Sequence, residues 1–336
     1  MANVLITTEM FPEALERLRA AGHRVQAPER GRLSRPQILE RLPGMEALIC
    51  LLSDRVDEEL LARGTRLKVV ANLGVGVDNI DLAAATCRGI AVTNTPEVLT
   101  ETTADLGWAL LMAAARRIVE ADRDLRAHGF PGWTFIPPHL GVDVWGRTLG
   151  VVGLGRIGTA IARRGKGFQM RVLYYSRSRK PHLEEELGLE FRPLEELLSQ
   201  SDFVVLCTPL TPETRHLIGA RELALMRREA ILVNIARGPV VDEAALVAAL
   251  EAGEIRAAAL DVFEREPEVH PRLLELSNVV LTPHIGSATR ATRLRMAELA
   301  VEAVISVFEG KKPPNLVNEE VWPPGGDPRG PSGIKA

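Results

Sequence analysis

Residues 148–180 read TLGVVGLGRIGTAIARRGKGFQMRVLYYSRSRK, and the order of features in that stretch decides the fold. A short apolar run, TLGVV, ends in glycines at 153, 155 and 158. The pattern RIGTAIARRGKGF follows with apolar residues at helical spacing, and a second apolar run, RVLYY, comes after it. Strand, glycine turn, helix and strand in that order make a βαβ unit, whose two strands run parallel. Glycines at this spacing also occur in plain tight turns, so the context carries the reading. Each glycine has a separate duty. Gly153 permits the sharp turn, Gly155 lets the backbone approach a pyrophosphate, and Gly158 lets the helix lie close to the strand. The free N–H groups at the start of that helix favour a bound anion. A dinucleotide site is the expectation.

The same alternation extends in both directions. Upstream, strands are expected at NVLIT, RVQA, ALICLL, LKVVANL and GIAVTN, with helices between them such as FPEALERLRAAG. EVLTETTADLGWALLMAAARRIVEADRDLRAHG then reads as one long helix suited to crossing between two domains. Downstream of TLGVVGLG and RVLYYS, strands are expected at DFVVLCTP, ILVNIARG, IRAAALDVF and NVVLTPH, and ATRLRMAELAVEAVISVFEG reads as a further helix. The chain has 336 residues, enough for two domains. Its end is rich in Pro and Gly, and residues 321–336 read as a disordered tail.

Bulk properties narrow the class. A net charge of -3 gives no electrostatic case for nucleic acid or for an anionic membrane surface. The opening MANVLITTEM has no basic leader, and LGWALLMAAARRIV is interrupted by Arg116 and Arg117 too early to span a bilayer. The three cysteines, Cys50, Cys87 and Cys207, are scattered without metal-ligand spacing. A reducing, cytoplasmic setting with no metal site is the expectation.

A dinucleotide site for NAD usually carries an acidic residue about twenty positions after the glycines, where it accepts the ribose 2′-OH. This chain has no acidic residue between Gly158 and Glu184; Ser176, Arg177, Ser178, Arg179 and Lys180 stand there instead. Hydroxyls and guanidinium groups suit a 2′-phosphate, which a carboxylate would repel. NADP(H) is therefore the expected preference, with NAD(H) also usable.

Chemistry in open parallel sheets is sought beyond the carboxyl ends of strands. Arg237 ends ILVNIARG, Glu266 follows AAALDVF, and His284 follows NVVLTP. Each alone reads equally as a surface ion pair or a satisfied loop residue; three at one edge are much less readily accidental. A carbonyl that receives hydride becomes an alkoxide and needs a proton, which a histidine can give near neutrality. A carboxylate beside it would orient the ring and stabilise its charged form, and an arginine would grip a substrate carboxylate. In the first half, Gly74-Val75-Gly76 follows LKVVANL, and its N–H groups are candidates to cradle that carboxylate, although a simple turn fits too. LLSD at 51–54 is a further strand end on that side.

The segments LLSDRVDEELL, NLGVGVDNIDL, NTPEVLTETTADL, VVGLGRIG, CTPLTPETRHLI, NIARGPVVDEAAL, ALDVFEREP and LTPHIGSAT, in this order, resemble the D-isomer-specific 2-hydroxyacid dehydrogenases. The glyoxylate reductase/hydroxypyruvate reductase branch is the nearest likeness, over about residues 1 to 318. The resemblance implies an α/β fold of two Rossmann-like, doubly wound parallel-sheet domains with a cleft between them. Residues 1–98 with 288–320 would form a flavodoxin-like substrate domain, and 99–287 the nucleotide domain, crossing at about 99–120. It implies a catalytic set of Arg237, Glu266 and His284, with His284 as proton donor. It implies dinucleotide contacts from Gly153, Leu154, Gly155, Arg156, Ile157 and Gly158, from Ser176, Arg177 and Ser178, and from Ile235, Ala236 and Arg237. Asp261 would hold the nicotinamide amide, with His284 and Gly286 nearby. Substrate contacts would come from Leu52, Val75, Gly76, Arg237, His284 and Ser287. A homodimer is implied as well, with Trp133 reaching the neighbouring subunit's site. A 3-phosphoglycerate dehydrogenase-like enzyme, or a dinucleotide-sensing corepressor of the same fold, are the alternatives left open.

Overall fold

The computed structural model describes residues 1–323, which separate into two compact units, one formed by residues 1–99 with the C-terminal segment from 288 and the other by residues 100–287.

The first unit is built on a five-stranded sheet of β1 (Asn3–Ile6), β2 (Arg24–Gln26), β3 (Ala47–Leu51), β4 (Val69–Leu73) and β5 (Ala91–Thr93). All strands run parallel in the order β2-β1-β3-β4-β5. Buried parallel strands need apolar residues on both faces, which is why ALICL and VVANL show no alternation. Val4, Ile6, Ile49 and Ala71 pack on one face against Ala300, Val301 and Val304 of the helix Arg290–Phe308. Leu5, Leu48, Cys50 and Val70 pack on the other against Leu60 and Leu61.

The second unit carries seven parallel strands: β6 (Thr148–Val152), β7 (Arg171–Tyr175), β8 (Glu190–Phe191), β9 (Phe203–Leu206), β10 (Ile231–Asn234), β11 (Ala257–Leu260) and β12 (Val279–Leu281). Their order is β12-β11-β10-β9-β6-β7-β8. The chain leaves β6 toward β7 and later returns to β9 on its other side, so the topological switch lies between β6 and β9. Crevices at such switch points are where this architecture takes ligands. Val151 and Val205 face one core, Val152 and Leu206 the other. Both sheets are thus doubly wound.

Three expectations need correction. The stretch 97–129 is two helices, Thr100–Ala115 and Ile118–His128, because Arg117 takes a left-handed φ of 51° and the Ala115 carbonyl accepts the Val142 N–H instead of continuing a helix. β8 is not among the expected strands; its two half-buried residues give no periodic signal. The tail does not start at 321: Val321 is buried and Trp322 packs on the first unit's core, while 324–336 lie outside the described residues. No helix among the described residues is long and apolar enough to cross a membrane.

Candidate active site

The glycine loop sits at the carboxyl end of β6, and the protein's own atoms account for two of its three glycines. Gly153 has φ +98° and donates its N–H to the Tyr175 carbonyl at 2.8 Å. A Cβ at Gly158 would overlap the Gly153 carbonyl. At Gly155, by contrast, a Cβ would meet nothing within 4 Å. Gly155 begins the helix Arg156–Gly167, and no side chain caps that end. The open position, the uncapped N–H groups and the helix dipole together fit an incoming pyrophosphate. A second sign comes from Thr208, just past β9, whose methyl group lies beside Gly153. Its hydroxyl is buried without a hydrogen-bond partner. Buried polar groups are normally satisfied, so this oxygen is suited to a ligand. Sequence reasoning missed Thr208, since an uncharged residue after a strand gives no chemical signal.

At the end of β7 the hydroxyl of Ser176 donates to the Ser178 carbonyl at 2.6 Å, which closes a tight turn around the exposed Arg177. The basic cluster then divides. Arg179 grips Glu184 through Nε at 2.8 Å and Nη2 at 2.7 Å, so it is committed to a carboxylate. The Tyr174 hydroxyl donates to Glu184 at 2.6 Å and accepts the Lys180 N–H at 2.7 Å. The Arg179 guanidinium and then the Tyr174 hydroxyl hold the Glu184 carboxyl down at about 2.

Strands β10, β11 and β12 are neighbours, so their carboxyl ends bring Arg237, Glu266 and His284 to one edge. Residues 235–237 fold over buried Asn234, which accepts the Ala236 N–H and donates to the Arg237 carbonyl, both at 3.0 Å. Next to Arg237, Gly238 lies so close to the Phe263 carbonyl that any Cβ there would overlap it. The Phe263 N–H in turn donates to Glu266 Oε1 at 3.1 Å. Glu266 Oε2 lies 2.9 Å from His284 Nδ1. Burial pushes the Glu266 carboxyl up, but the hydrogen bond and charge of His284, the Phe263 N–H and Arg237 outweigh it and leave it below its usual range. The carboxylate is therefore ionised at neutral pH and in place to orient the ring.

Asp261, given a nicotinamide contact by the resemblance, directly follows β11. It is only 2% exposed. Oδ1 accepts from Thr282 Oγ1 at 2.7 Å and the Ile285 N–H at 2.8 Å, and Oδ2 accepts from the Gly286 N–H at 2.8 Å. Its backbone carbonyl takes the His284 N–H at 2.9 Å. These bonds hold His284 at a left-handed φ of 52°, which few non-glycine residues adopt. Asp261 is a buried brace beneath the histidine loop, and desolvation raises its carboxyl above the usual value.

In the first unit, Leu52 lies against Gly74 so tightly that a Cβ at Gly74 would overlap its side chain. Amides and backbone shape the loop. The carbonyls of Gly74, Val75 and Gly76 accept from the Thr95 N–H at 2.9 Å, Asn94 Nδ2 at 2.8 Å and Asn72 Nδ2 at 2.7 Å. Among the described residues of the unit, no hydrogen bond takes the N–H of Val75 or Gly76. Asn72 and Asn94 were not singled out from sequence; an amide at a strand end looks like ordinary turn chemistry. Trp133 is 81% exposed, in a segment with exposed Phe130, Phe135 and Ile136. No cluster of three or more metal-ligating side chains occurs among the described residues.

Residues 108–286 match the family described as D-isomer specific 2-hydroxyacid dehydrogenase, NAD binding domain. A glyoxylate reductase of Thermococcus gammatolerans is 52% identical over 321 residues, covering 95% of this chain and 96% of that protein. Among solved structures, a Thermus thermophilus protein is 48% identical with a TM-score of 0.88, covering 94% of this chain and 99% of that one. The NADPH-dependent glyoxylate/hydroxypyruvate reductase of Sinorhizobium meliloti, solved with NADP and malonate, is 34% identical with a TM-score of 0.82, covering 94% of this chain and 96% of that one. The glycine loop, the histidine–carboxylate pair and this likeness over nearly the whole length lead to one conclusion: the chain belongs to the D-isomer-specific 2-hydroxyacid dehydrogenases and is an NAD(P)-dependent oxidoreductase.

Proposed function

We propose that this protein reduces glyoxylate to glycolate and hydroxypyruvate to D-glycerate, with NADPH preferred over NADH. The observation that carries the reading is the 2.9 Å pair of His284 and Glu266, on the same sheet edge as Arg237 and the glycine loop. Relatives named for glyoxylate reduction at about half identity support the substrate, and the acid-free turn at Ser176–Ser178 supports the cofactor preference.

The dinucleotide pyrophosphate would rest on the N–H groups of residues 154–157, and a 2′-phosphate on Ser176, Arg177 and Ser178. When bound, the reduced nicotinamide supplies the hydride. The chain's own residues do the rest. Arg237 takes the substrate carboxylate and its guanidinium polarises the neighbouring carbonyl, and the amides of Val75 and Gly76 are assigned to the substrate as well. His284, braced by Glu266, would give a proton to the oxygen that receives the hydride's electrons. Leu52 and Ser287 complete the substrate contacts, and Gly286, Ile235 and Ala236 the dinucleotide contacts. Asp261 acts here by fixing the His284 loop, with its amide contact as a further role.

Residues 1–98 with 288–320 are assigned the substrate, and 99–287 the dinucleotide. The exposed apolar residues Phe130, Trp133, Phe135 and Ile136 favour a homodimer, in which Trp133 reaches the partner's site. Three free cysteines suit a cytoplasmic setting. Steady-state kinetics on a panel of 2-oxo acids with both nicotinamides test the reading. Glyoxylate and hydroxypyruvate with NADPH should give the highest kcat/KM; a clear preference for NADH, or for a phosphorylated acid, would overturn it.

A further inference from the structure

Glu184 is the first carboxylate after the glycine loop, and its place is unusual. Through the Tyr174 hydroxyl it is one hydrogen bond removed from both ends of the turn 174–180: Tyr174 belongs to β7 and the same hydroxyl receives the Lys180 N–H. A carboxylate there, left bare, would set a negative charge against the turn that holds Arg177 and so weaken its hold on a 2′-phosphate. It is not bare. Arg179 covers both oxygens, with contacts of 2.8 Å and 3.1 Å from Nε and 2.7 Å from Nη2. The Arg179 side chain is 65% exposed and that of Glu184 15%, so the arginine closes over the carboxylate from the solvent side. Arg177, one residue beyond Ser176, stays exposed, with Glu213 as a further carboxylate in its electrostatic range.

We infer that Arg179 determines dinucleotide specificity without touching the dinucleotide: it neutralises Glu184, so that Arg177 and the two serines meet a 2′-phosphate without the charge of Glu184 opposing it. The inference rests on the NADPH preference proposed above and names what sustains it. It differs from the simpler idea that every arginine of the turn binds phosphate directly. If Arg179 were itself a phosphate ligand, Glu184 would compete for it, and removing Glu184 could not compensate for its loss. If Arg179 acts only by cancelling Glu184, removing both charges restores the balance.

A double-variant cycle separates the two. The quantity to measure is kcat/KM for NADPH divided by kcat/KM for NADH, with glyoxylate saturating, in the wild type, Arg179→Ala, Glu184→Gln and the double variant. Arg179→Ala should lower the ratio about tenfold, the scale of one added charge near a phosphate, with the loss in the NADPH value and NADH within about twofold. The double variant should return to within about threefold of the wild type. Melting temperatures should differ little, because Arg179 is largely exposed and a pair closed from the solvent side adds little stability. A double variant as poor as Arg179→Ala, or an unchanged ratio in Arg179→Ala, overturns the inference while leaving the NADPH reading intact. A wild-type ratio below one overturns the NADPH reading itself, before any variant is compared.

Discussion

The loops at the carboxyl ends of the two sheets differ in kind, although the sheets are built alike. Both sheets are parallel, doubly wound and apolar on both faces. In the seven-stranded unit the strand ends carry ionisable side chains, Arg237 after β10, Glu266 after β11 and His284 after β12, with an uncapped helix after β6. In the five-stranded unit the corresponding loop, Gly74 to Gly76, is shaped by the amides of Asn72 and Asn94 and by backbone bonds. Under the proposed function, the difference teaches a division of labour within one architecture. The ionisable side chains, to which the proposed reaction assigns proton transfer, sit on short loops braced by buried neighbours such as Asp261 and Asn234. A neutral cradle needs only N–H groups in fixed positions.

The comparison breaks most sharply at His284. Replacing it by Ala should lower kcat by about 10² to 10⁴, the range for losing a general acid, with NADPH binding nearly unchanged by fluorescence titration. Normal turnover in that variant would remove the charged edge from the chemistry.

The glycine loop gives the next effect. Gly155→Ala meets no protein atom, so its melting temperature should hold while the KM for NADPH rises about tenfold or more, because the added methyl occupies the path to the backbone. Gly158→Ala, whose Cβ overlaps the Gly153 carbonyl, should instead lose about 1–3 kcal/mol of stability. Equal behaviour of the two variants would mean that Gly155 serves the fold and not a ligand.

The neutral loop should respond least. Gly74→Ala forces the Leu52 side chain to move, and the KM for the 2-oxo acid should rise about fivefold, the size of a perturbation near 1 kcal/mol, with the KM for NADPH unchanged. An effect on NADPH alone would assign this loop to the dinucleotide.

Much of this was legible in the sequence for a physical reason. Strands buried on both faces appear as unbroken apolar runs, so ALICLL, DFVVLCTP and ILVNIARG announce themselves, and whatever polar residue follows them stands at the edge where ligands bind. Features set by tertiary contacts were not legible. The helix break at Arg117 depends on Val142 taking the Ala115 carbonyl, a contact from well along the chain that no local pattern carries. Asp261 was given a nicotinamide contact by the family likeness alone; its three donors come from a loop more than twenty residues later, so its place as a brace under His284 left no local signal. Arg179 looked like one more free cation until Glu184 was seen to hold it.

The most direct test of the central claim is a crystal structure of the protein with NADPH and an unreactive 2-carboxylate analogue. The account predicts the pyrophosphate against the Gly155 amide, and His284 Nε2 within about 2.6–3.2 Å of the oxygen that replaces the reacting carbonyl, with Nδ1 still on Glu266. A dinucleotide bound away from the glycine loop, or an analogue whose oxygen is out of reach of His284, would contradict it.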